Sequence, residues 1–81
     1  MNDTTYKYDT FLCIGPHVWG RGKSAKEAKK NAQREYSAHK RLPAYVILNA
    51  HPESYVNCFG QVCYPTENDA PLVVERKECA K

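Results

Sequence analysis

A helix with one face of alanine is the feature that most limits how this chain can fold. Ser24 and Glu27 form a capping box, in which each side chain accepts a hydrogen bond from a backbone N–H at the start of a helix. The helix is predicted over residues 25–40, because Pro43 cannot continue it. Alanines dominate the narrow stripe that a period of 100° per residue puts on one side, so the helix should lie close against a sheet. The stripe consists of Ala25, Ala28, Ala32, Tyr36 and His39.

Strands are predicted on both sides of this helix. Residues 6–20 should form a hairpin that turns at Gly15 and Pro16, and Gly20 and Gly22 should loosen the chain before the helix. Residues 44–64 should form a second hairpin, with a third strand at 44–49 and a fourth at 54–64 that Gly60 weakens. A loop at 65–71, a short edge strand at 72–75 and a frayed tail at 76–81 follow.

These elements predict the class of fold. The 81 residues leave room for one domain, so 1–81 is expected to be a single α+β domain. Its antiparallel sheet should have four to five strands, in ββαββ order along the chain, with one helix packed on one face. The predicted core consists of Phe11, Leu12, Ile14, Val18, Trp19, Val46, Ile47, Leu48, Val56, Phe59 and Val62 against the alanine face.

The chain contains four cysteines, Cys13, Cys58, Cys63 and Cys79. The sequence has neither an apolar run of membrane-spanning length nor the pattern of a signal peptide, so a cytoplasmic location is expected. Thiols stay reduced in that compartment, and free cysteines behave as small buried apolar residues. Core cysteines are therefore the first interpretation, with a metal site or disulfides as the alternatives.

The sequence has no motif of a known catalytic centre. Its three histidines, His17, His39 and His51, fall in different predicted elements, and no serine-nucleophile elbow, complete phosphate loop or zinc-binding histidine pair is present. A cysteine–histidine nucleophilic pair is conceivable, since its partners need only meet in space. We expect a protein that is not an enzyme and has no metal and no cofactor.

Charge is distributed unevenly along the chain. Residues 17–42 contain eight basic and two acidic residues, which gives this segment +6. The rest contains four basic and seven acidic residues, which gives −3. A local excess of this kind is typical of a surface that meets a polyanion or an acidic protein.

The excess is concentrated on the predicted helix. Lys26, Lys30 and Arg34 recur at i, i+4 and i+8 and form an outward row. Exposed helices also bear such rows for solubility alone, and that is the alternative. The candidate residues for binding a partner or nucleic acid are Arg21, Lys23, Lys26, Lys29, Lys30 and Arg34.

Residues 20–42 resemble the last strand and final helix of a double-stranded RNA-binding domain. The pattern of that family is G-x-G-x-S-K-K-x-A-K-x-x-A, and Gly20, Gly22, Ser24, Lys26, Ala28, Lys29 and Ala32 match it, while Ala25 replaces its first helix lysine. The resemblance implies that Lys26 and Lys29 contact phosphates across the major groove, with Lys23 and Lys30 as local additions. The leading helix of that family has no room in the 19 residues before Gly20.

The chain also resembles, in architecture, small phage and mobile-element proteins of the anti-CRISPR kind. The capped run at 24–32 and the predicted strands at 44–49 and 54–64 are the features in common. This resemblance implies a compact domain that docks on a host surveillance complex and blocks it sterically. The expected partner is therefore a host nucleoprotein complex or nucleic acid, RNA or DNA, and not a membrane.

The sequence leaves two questions open, whether the chain pairs with a second copy and which aromatic residues contact a partner. An exposed edge at 72–75 would be a surface for pairing with a second copy, so the protein is expected to be a monomer or a homodimer. Aromatic residues outside the core would be anchors in a docking mechanism, although tyrosines in strands often serve the sheet itself. The candidate anchors are Tyr6, Tyr8, Tyr45, Tyr55 and Tyr64.

Overall fold

The computed structural model describes residues 6–37 and 40–77. Its helix and its main sheet, which is antiparallel, confirm the α+β class. Among the described residues, no helix has the length and apolar character needed to cross a membrane. The elements are β1 (Thr10–Gly15), β2 (Val18–Gly22), α1 (Ala25–Tyr36), β3 (Tyr45–Ala50), β4 (Tyr55–Val56), β5 (Val62–Cys63), a 3-10 turn (Glu67–Asp69) and β6 (Leu72–Lys77).

Four strands form the main sheet in the order β2-β1-β3-β6, with every neighbouring pair antiparallel. Cys13 of β1 lies opposite Gly20 of β2 on one side and Ile47 of β3 on the other. Since side chains alternate along a strand, these three share the face that α1 covers. Leu12 lies opposite Arg21 and Leu48, and these three share the second face.

Glycine in β2 brings α1 close to the sheet. A Cβ added at Gly20 would lie 2.4 Å from the backbone nitrogen of Ala32, and one at Gly22 would lie 2.7 Å from that of Ala28. Ala28 and Ala32 are fully buried against this strand, which confirms the predicted alanine face. The prediction that Gly20 and Gly22 loosen the chain was wrong, because both are buried residues of β2 where a side chain would meet helix backbone.

The helix begins as predicted and ends earlier. Ser24 Oγ accepts from Glu27 N at 3.1 Å, and Glu27 Oε1 accepts from Lys23 N at 2.9 Å. Tyr36 is the last helical residue, because Ser37 adopts an extended backbone with φ −172° and ψ 145°. The side chain of Gln33 fixes the segment that follows the helix. It donates to the carbonyls of Ser37 and Lys40 and accepts from Leu42 N. His39, predicted on the buried stripe, lies outside the described residues.

The predicted fourth strand is wrong as a single element. Residues 55–56 and 62–63 form β4 and β5, which pair with each other and not with β3. Asn57 makes the reversal between them, since its Oδ1 accepts from Phe59 N and Gln61 N at 2.9 Å each, while Gly60 has a positive φ of 79°. The neighbour of β3 on its free side is β6, which runs to Lys77, two residues beyond the predicted edge strand.

The core agrees with the sequence in part. Leu12, Ile47, Leu48 and Val56 are buried as predicted, but Phe59 is 83% exposed at the β4–β5 turn. Leu42 and Tyr45, which were not in the predicted core, are buried beside the helix.

The cysteines divide by position. Cys13 is fully buried, and burial raises the pKa of its thiol to about 11. Cys58 is exposed and Cys63 is half-buried, so the core interpretation holds for Cys13 and is wrong for Cys58. All three are free thiols, and Cys79 lies outside the described residues.

Residues 6–9 are attached to the sheet and to the 3-10 turn by hydrogen bonds. Buried Asn49 accepts from Tyr8 N and donates to the carbonyls of Tyr8 and Thr10. The Tyr8 hydroxyl donates to Asp69 Oδ1, and Thr66 donates to Asp69 Oδ2. These two hydrogen bonds, the Tyr8 bond first, hold the pKa of the Asp69 carboxyl below its ordinary value.

We expect Gly20→Ala to destabilise the domain by about 1–3 kcal/mol, because the added methyl must push helix backbone away from β2. In a domain of this size that corresponds to a loss of roughly 5–20 °C in Tm, measurable by thermal unfolding. Gly60→Asn is the control, since a Cβ at Gly60 meets nothing within 4 Å and asparagine tolerates its positive φ. Equal Tm values for Gly20→Ala and wild type would contradict the close contact of β2 with α1.

We expect Tyr8→Phe to lower Tm by a few degrees at neutral pH, because it removes the hydroxyl that donates to Asp69. A carboxyl with a depressed pKa contributes stability above the pKa of the unfolded chain and loses it as the pH falls below about 4. The Tm difference between wild type and the variant should therefore shrink between pH 5 and pH 2. Tyr64→Phe, which removes an exposed hydroxyl, should show no such pH dependence. A difference that stays constant down to pH 2 would contradict this role of Asp69.

Candidate nucleic-acid interface

Four of the six candidate residues lie on the outer side of α1 or just before its start. Ala28 and Ala32 face the sheet, so the 100° period turns Lys26, Lys30 and Arg34 to solvent, and Lys23 immediately precedes the N-cap residue Ser24. All four are exposed, and none of their charged groups forms an ion pair or hydrogen bond with another described residue. We call Lys23, Lys26, Lys30 and Arg34 the basic face.

The two acidic residues of the helix offset part of this charge. Glu27 accepts from Lys23 N in the capping box, and its carboxylate lines the groove on the outer side of α1 with Lys26, Lys30 and Arg34. Glu35 lies on the flank of the helix that borders β2, where it lines a groove with Arg34 and Asn31. The four cations outnumber the two carboxylates, so this side of the molecule keeps a positive excess, and such an excess attracts polyanions.

Lys29 does not belong to the basic face. It is half-buried, and its ammonium lies over the ring of Tyr45, 4.7 Å from the centroid. Tyr45 in turn donates its hydroxyl to Glu75 on β6 at 2.9 Å. A cation over an aromatic ring contributes about 0.5–1 kcal/mol at a partly exposed site, so Lys29 helps to attach the helix to the sheet.

Arg21 lies on the other face of the sheet from the helix. Its Nη2 donates to the Ser54 carbonyl at 3.1 Å, and its guanidinium lies 5.5 Å from the centroid of the Trp19 ring. These contacts join β2 to the segment before β4. Arg21 is nevertheless exposed, and it lines the groove beside β2 that also contains Arg34.

Three depressions run from the basic face to the β4–β5 turn, and neighbouring depressions share residues. The helix groove lies between Lys26, Lys30 and Arg34. The edge groove, about 650 Å³, follows the outer edge of β2 and shares Asn31 and Arg34 with the helix groove. The aromatic groove, about 460 Å³, lies between the β1–β2 turn and the β4–β5 turn. It shares His17, Val18 and Trp19 with the edge groove, so the three grooves adjoin one another around the outer edge of β2, and we call them together the track.

The walls of the aromatic groove are held in fixed positions. On one side Phe59 stands on the turn that Asn57 holds together. On the other side His17 has a φ of 62°, in the left-handed region that favours glycine or asparagine. A histidine at such a position costs on the order of 1 kcal/mol, and residues held in that way are concentrated at functional sites.

Sequence reasoning missed the aromatic groove because it placed both Trp19 and Phe59 in the core. The signal that separates 54–64 into two strands is present, since Asn57 and Gly60 are typical turn residues. With the turn recognised, Phe59 falls at its tip and not in a strand. No local pattern, however, indicates that this turn lies beside the β1–β2 turn.

The candidate aromatic anchors divide into two groups. Tyr45 and Tyr8 are committed to intramolecular hydrogen bonds, and Tyr6 packs edge-on against Phe11 with centroids 5.5 Å apart. Tyr55 and Tyr64 are exposed, at 48% and 41%. The hydrogen bond with Cys63 raises the pKa of the Tyr55 hydroxyl, and these two residues face each other in the β4–β5 pair.

Metal-binding geometry is not found in the part of the chain that the structure describes, where no three His, Cys, Asp or Glu residues cluster. The candidate interface consists of the cations on and just before α1, Trp19 of β2 and Phe59 at the β4–β5 turn. Comparison with known proteins finds no matching family model, no matching curated protein and no matching solved structure, so the proposals below rest on this geometry.

Proposed function

We propose that this protein is a small binding protein, not an enzyme, that acts at a nucleic-acid-handling complex through the basic face of α1. The observation that carries the proposal is the set of four exposed cations, three on α1 and Lys23 just before it, that form no ion pair with another described residue. Solubility alone does not explain a cluster of cations on one side of the molecule, because a surface on which both signs of charge are interspersed is also soluble.

The first form of this proposal is a phage-type inhibitor, similar in action to anti-CRISPR proteins. Such a protein docks on a host surveillance complex and blocks it sterically, and the basic face would meet an acidic surface of the complex or the nucleic acid that it carries. The helix supports this form because its glycine-backed packing presents Lys26 and Lys30 without reorganisation. A cytoplasmic site of action belongs to the same proposal.

The second form is direct binding of nucleic acid through the same helix. The track from Arg34 to the aromatic groove favours it, because phosphates and bases need different surfaces side by side. Each phosphate neutralised on duplex DNA contributes about −0.9 to the slope of log affinity against log salt. Four contacts by the basic face predict a slope of about −3.6.

We expect charge reversal of the basic face to abolish most of the activity. In the first form of the proposal, the double variant Lys26→Glu with Lys30→Glu should inhibit the binding of target DNA to purified surveillance complexes roughly tenfold or more weakly than wild type. In the second form, the same variant should bind nucleic acid roughly tenfold or more weakly. Inhibition is measured as the displacement of labelled target DNA from each complex, and direct binding as anisotropy of labelled duplex DNA and RNA at 50 and 200 mM salt.

The matched control is Arg76→Glu with Lys77→Glu, which makes the same charge change on β6 at the other edge of the sheet. This control should retain activity within about twofold, since the charges lie away from α1. Equal losses in both double variants would show that net charge, and not the basic face, is responsible. If the wild-type chain inhibits none of the complexes and binds neither duplex nor single-stranded DNA or RNA, both forms of the proposal are wrong.

A further inference from the structure

We infer that the aromatic groove is a binding site for an unpaired nucleobase, and that the track leading to it holds a single strand of nucleic acid. The base would lie between Trp19 and Phe59, with the adjoining backbone phosphates at Arg34 and Lys30. This inference rests on the second form of the proposed function and names its ligand class as single-stranded and not duplex.

The groove has room for a planar ring. Its volume of about 460 Å³ lies within the range of roughly 300–1,000 Å³ that is usual for small-ligand sites. Val56 and Ile14 line it together with the two aromatic side chains, so most of the lining side chains are apolar. Phe59 is 83% exposed, which leaves the face of its ring available for stacking.

The cations next to the groove favour a nucleobase over an aromatic side chain of a partner protein as the ring that binds there. An aromatic side chain of a partner protein would fill an apolar groove equally well, but it would gain nothing from the neighbouring cations. Arg21 and Arg34 line the edge groove with Glu35, and Lys26 and Lys30 line the helix groove beyond it with Glu27, so the cations outnumber the carboxylates. A nucleotide matches both parts, because it joins an aromatic base to an anionic phosphate.

Single-stranded ligands are favoured over duplexes by the position of Phe59. Its ring lies at a turn tip on a side of the sheet that α1 does not cover, and a duplex on the basic face keeps its bases stacked inside. A flexible strand, in contrast, can follow the track around the outer edge of β2 and turn one base into the groove.

The test uses three unlabelled 12-residue ligands: oligothymidine, an abasic phosphodiester chain of equal length, and a 12-base-pair duplex. Trp19 is the single tryptophan of the chain, so its fluorescence reports directly on the groove. We expect oligothymidine to quench Trp19 and to bind about tenfold more tightly than the abasic chain, which carries the same phosphates. The affinities of all three ligands are measured by isothermal titration calorimetry, because the abasic chain and the duplex should leave the emission of Trp19 unchanged.

Two variants separate the base site from the phosphate site. Phe59→Ala should remove most of the advantage of oligothymidine over the abasic chain, while Tyr64→Ala, on the same hairpin but outside the groove, should change it less than twofold. Lys26→Glu with Lys30→Glu should weaken both ligands alike. Phe59 is a surface residue, so circular dichroism should show its variant folded.

Several results would overturn the inference. Equal affinity for oligothymidine and the abasic chain, with Trp19 unchanged, would refute the base site and leave phosphate binding by α1 intact. Failure of all three ligands to bind would refute the base site and the direct form of the proposed function together, and inhibition of a surveillance complex would then be the surviving form. If Phe59→Ala weakened only that inhibition, the groove would be a contact for protein and not for a base.

Discussion

The contact between β2 and α1 determines where the charges of this protein lie. Two positions of β2 have no side chain, and the helix residues that meet them are alanines, so backbone approaches backbone. Such a contact allows one rotation of the helix about its axis, because a turn of 100° would drive a lysine into the strand. The outward direction of Lys26, Lys30 and Arg34 follows from this contact and not from any interaction of their own. Asn31 fixes the same geometry from the flank, since it donates to the Arg21 carbonyl at 2.6 Å.

Local signals in the sequence predicted the elements that depend on neighbouring residues. The capping box, the alanine stripe and the β1–β2 hairpin each involve residues within a few positions of one another, and the structure contains all three. The pairing of β3 with β6 joins residues about 30 positions apart, and nothing local distinguishes it from a hairpin with the segment that follows β3. The hairpin prediction for 44–64 failed for this reason. The early end of α1 has a similar origin, because Gln33 reaches a loop that the helical period does not describe.

The candidate site shows the same division. The period of an α-helix was enough to place Lys26, Lys30 and Arg34 together, and the structure leaves all three exposed. The positions of the Arg21 and Lys29 side chains depend on tertiary neighbours. Arg21 lies on the face of the sheet opposite the helix, where it donates to the Ser54 carbonyl, and the ammonium of Lys29 lies over the ring of Tyr45. The aromatic groove was not predicted from the sequence, for a different reason. Large apolar residues are assigned to the core by default, and for Phe59 that rule was wrong because the hairpin turns at its position.

In the proposed function, the basic face and the aromatic groove would contribute to binding in different ways. At physiological ionic strength the Debye length is about 8 Å, so the attraction of the basic face is screened beyond the first layer of contacts. The exposed ring of Phe59 is insensitive to salt, and burying a phenylalanine side chain fully is worth about 1.5–3 kcal/mol. Because the ring is exposed, its burial energy does not contribute to the free energy of unfolding, which is only about 5–15 kcal/mol in a small domain. A ligand that covers the ring recovers it on binding, and Arg34 lies one groove away to hold the phosphate of the same ligand. Charge would thus bring a polyanion to α1, while the groove would decide which of the polyanions stays.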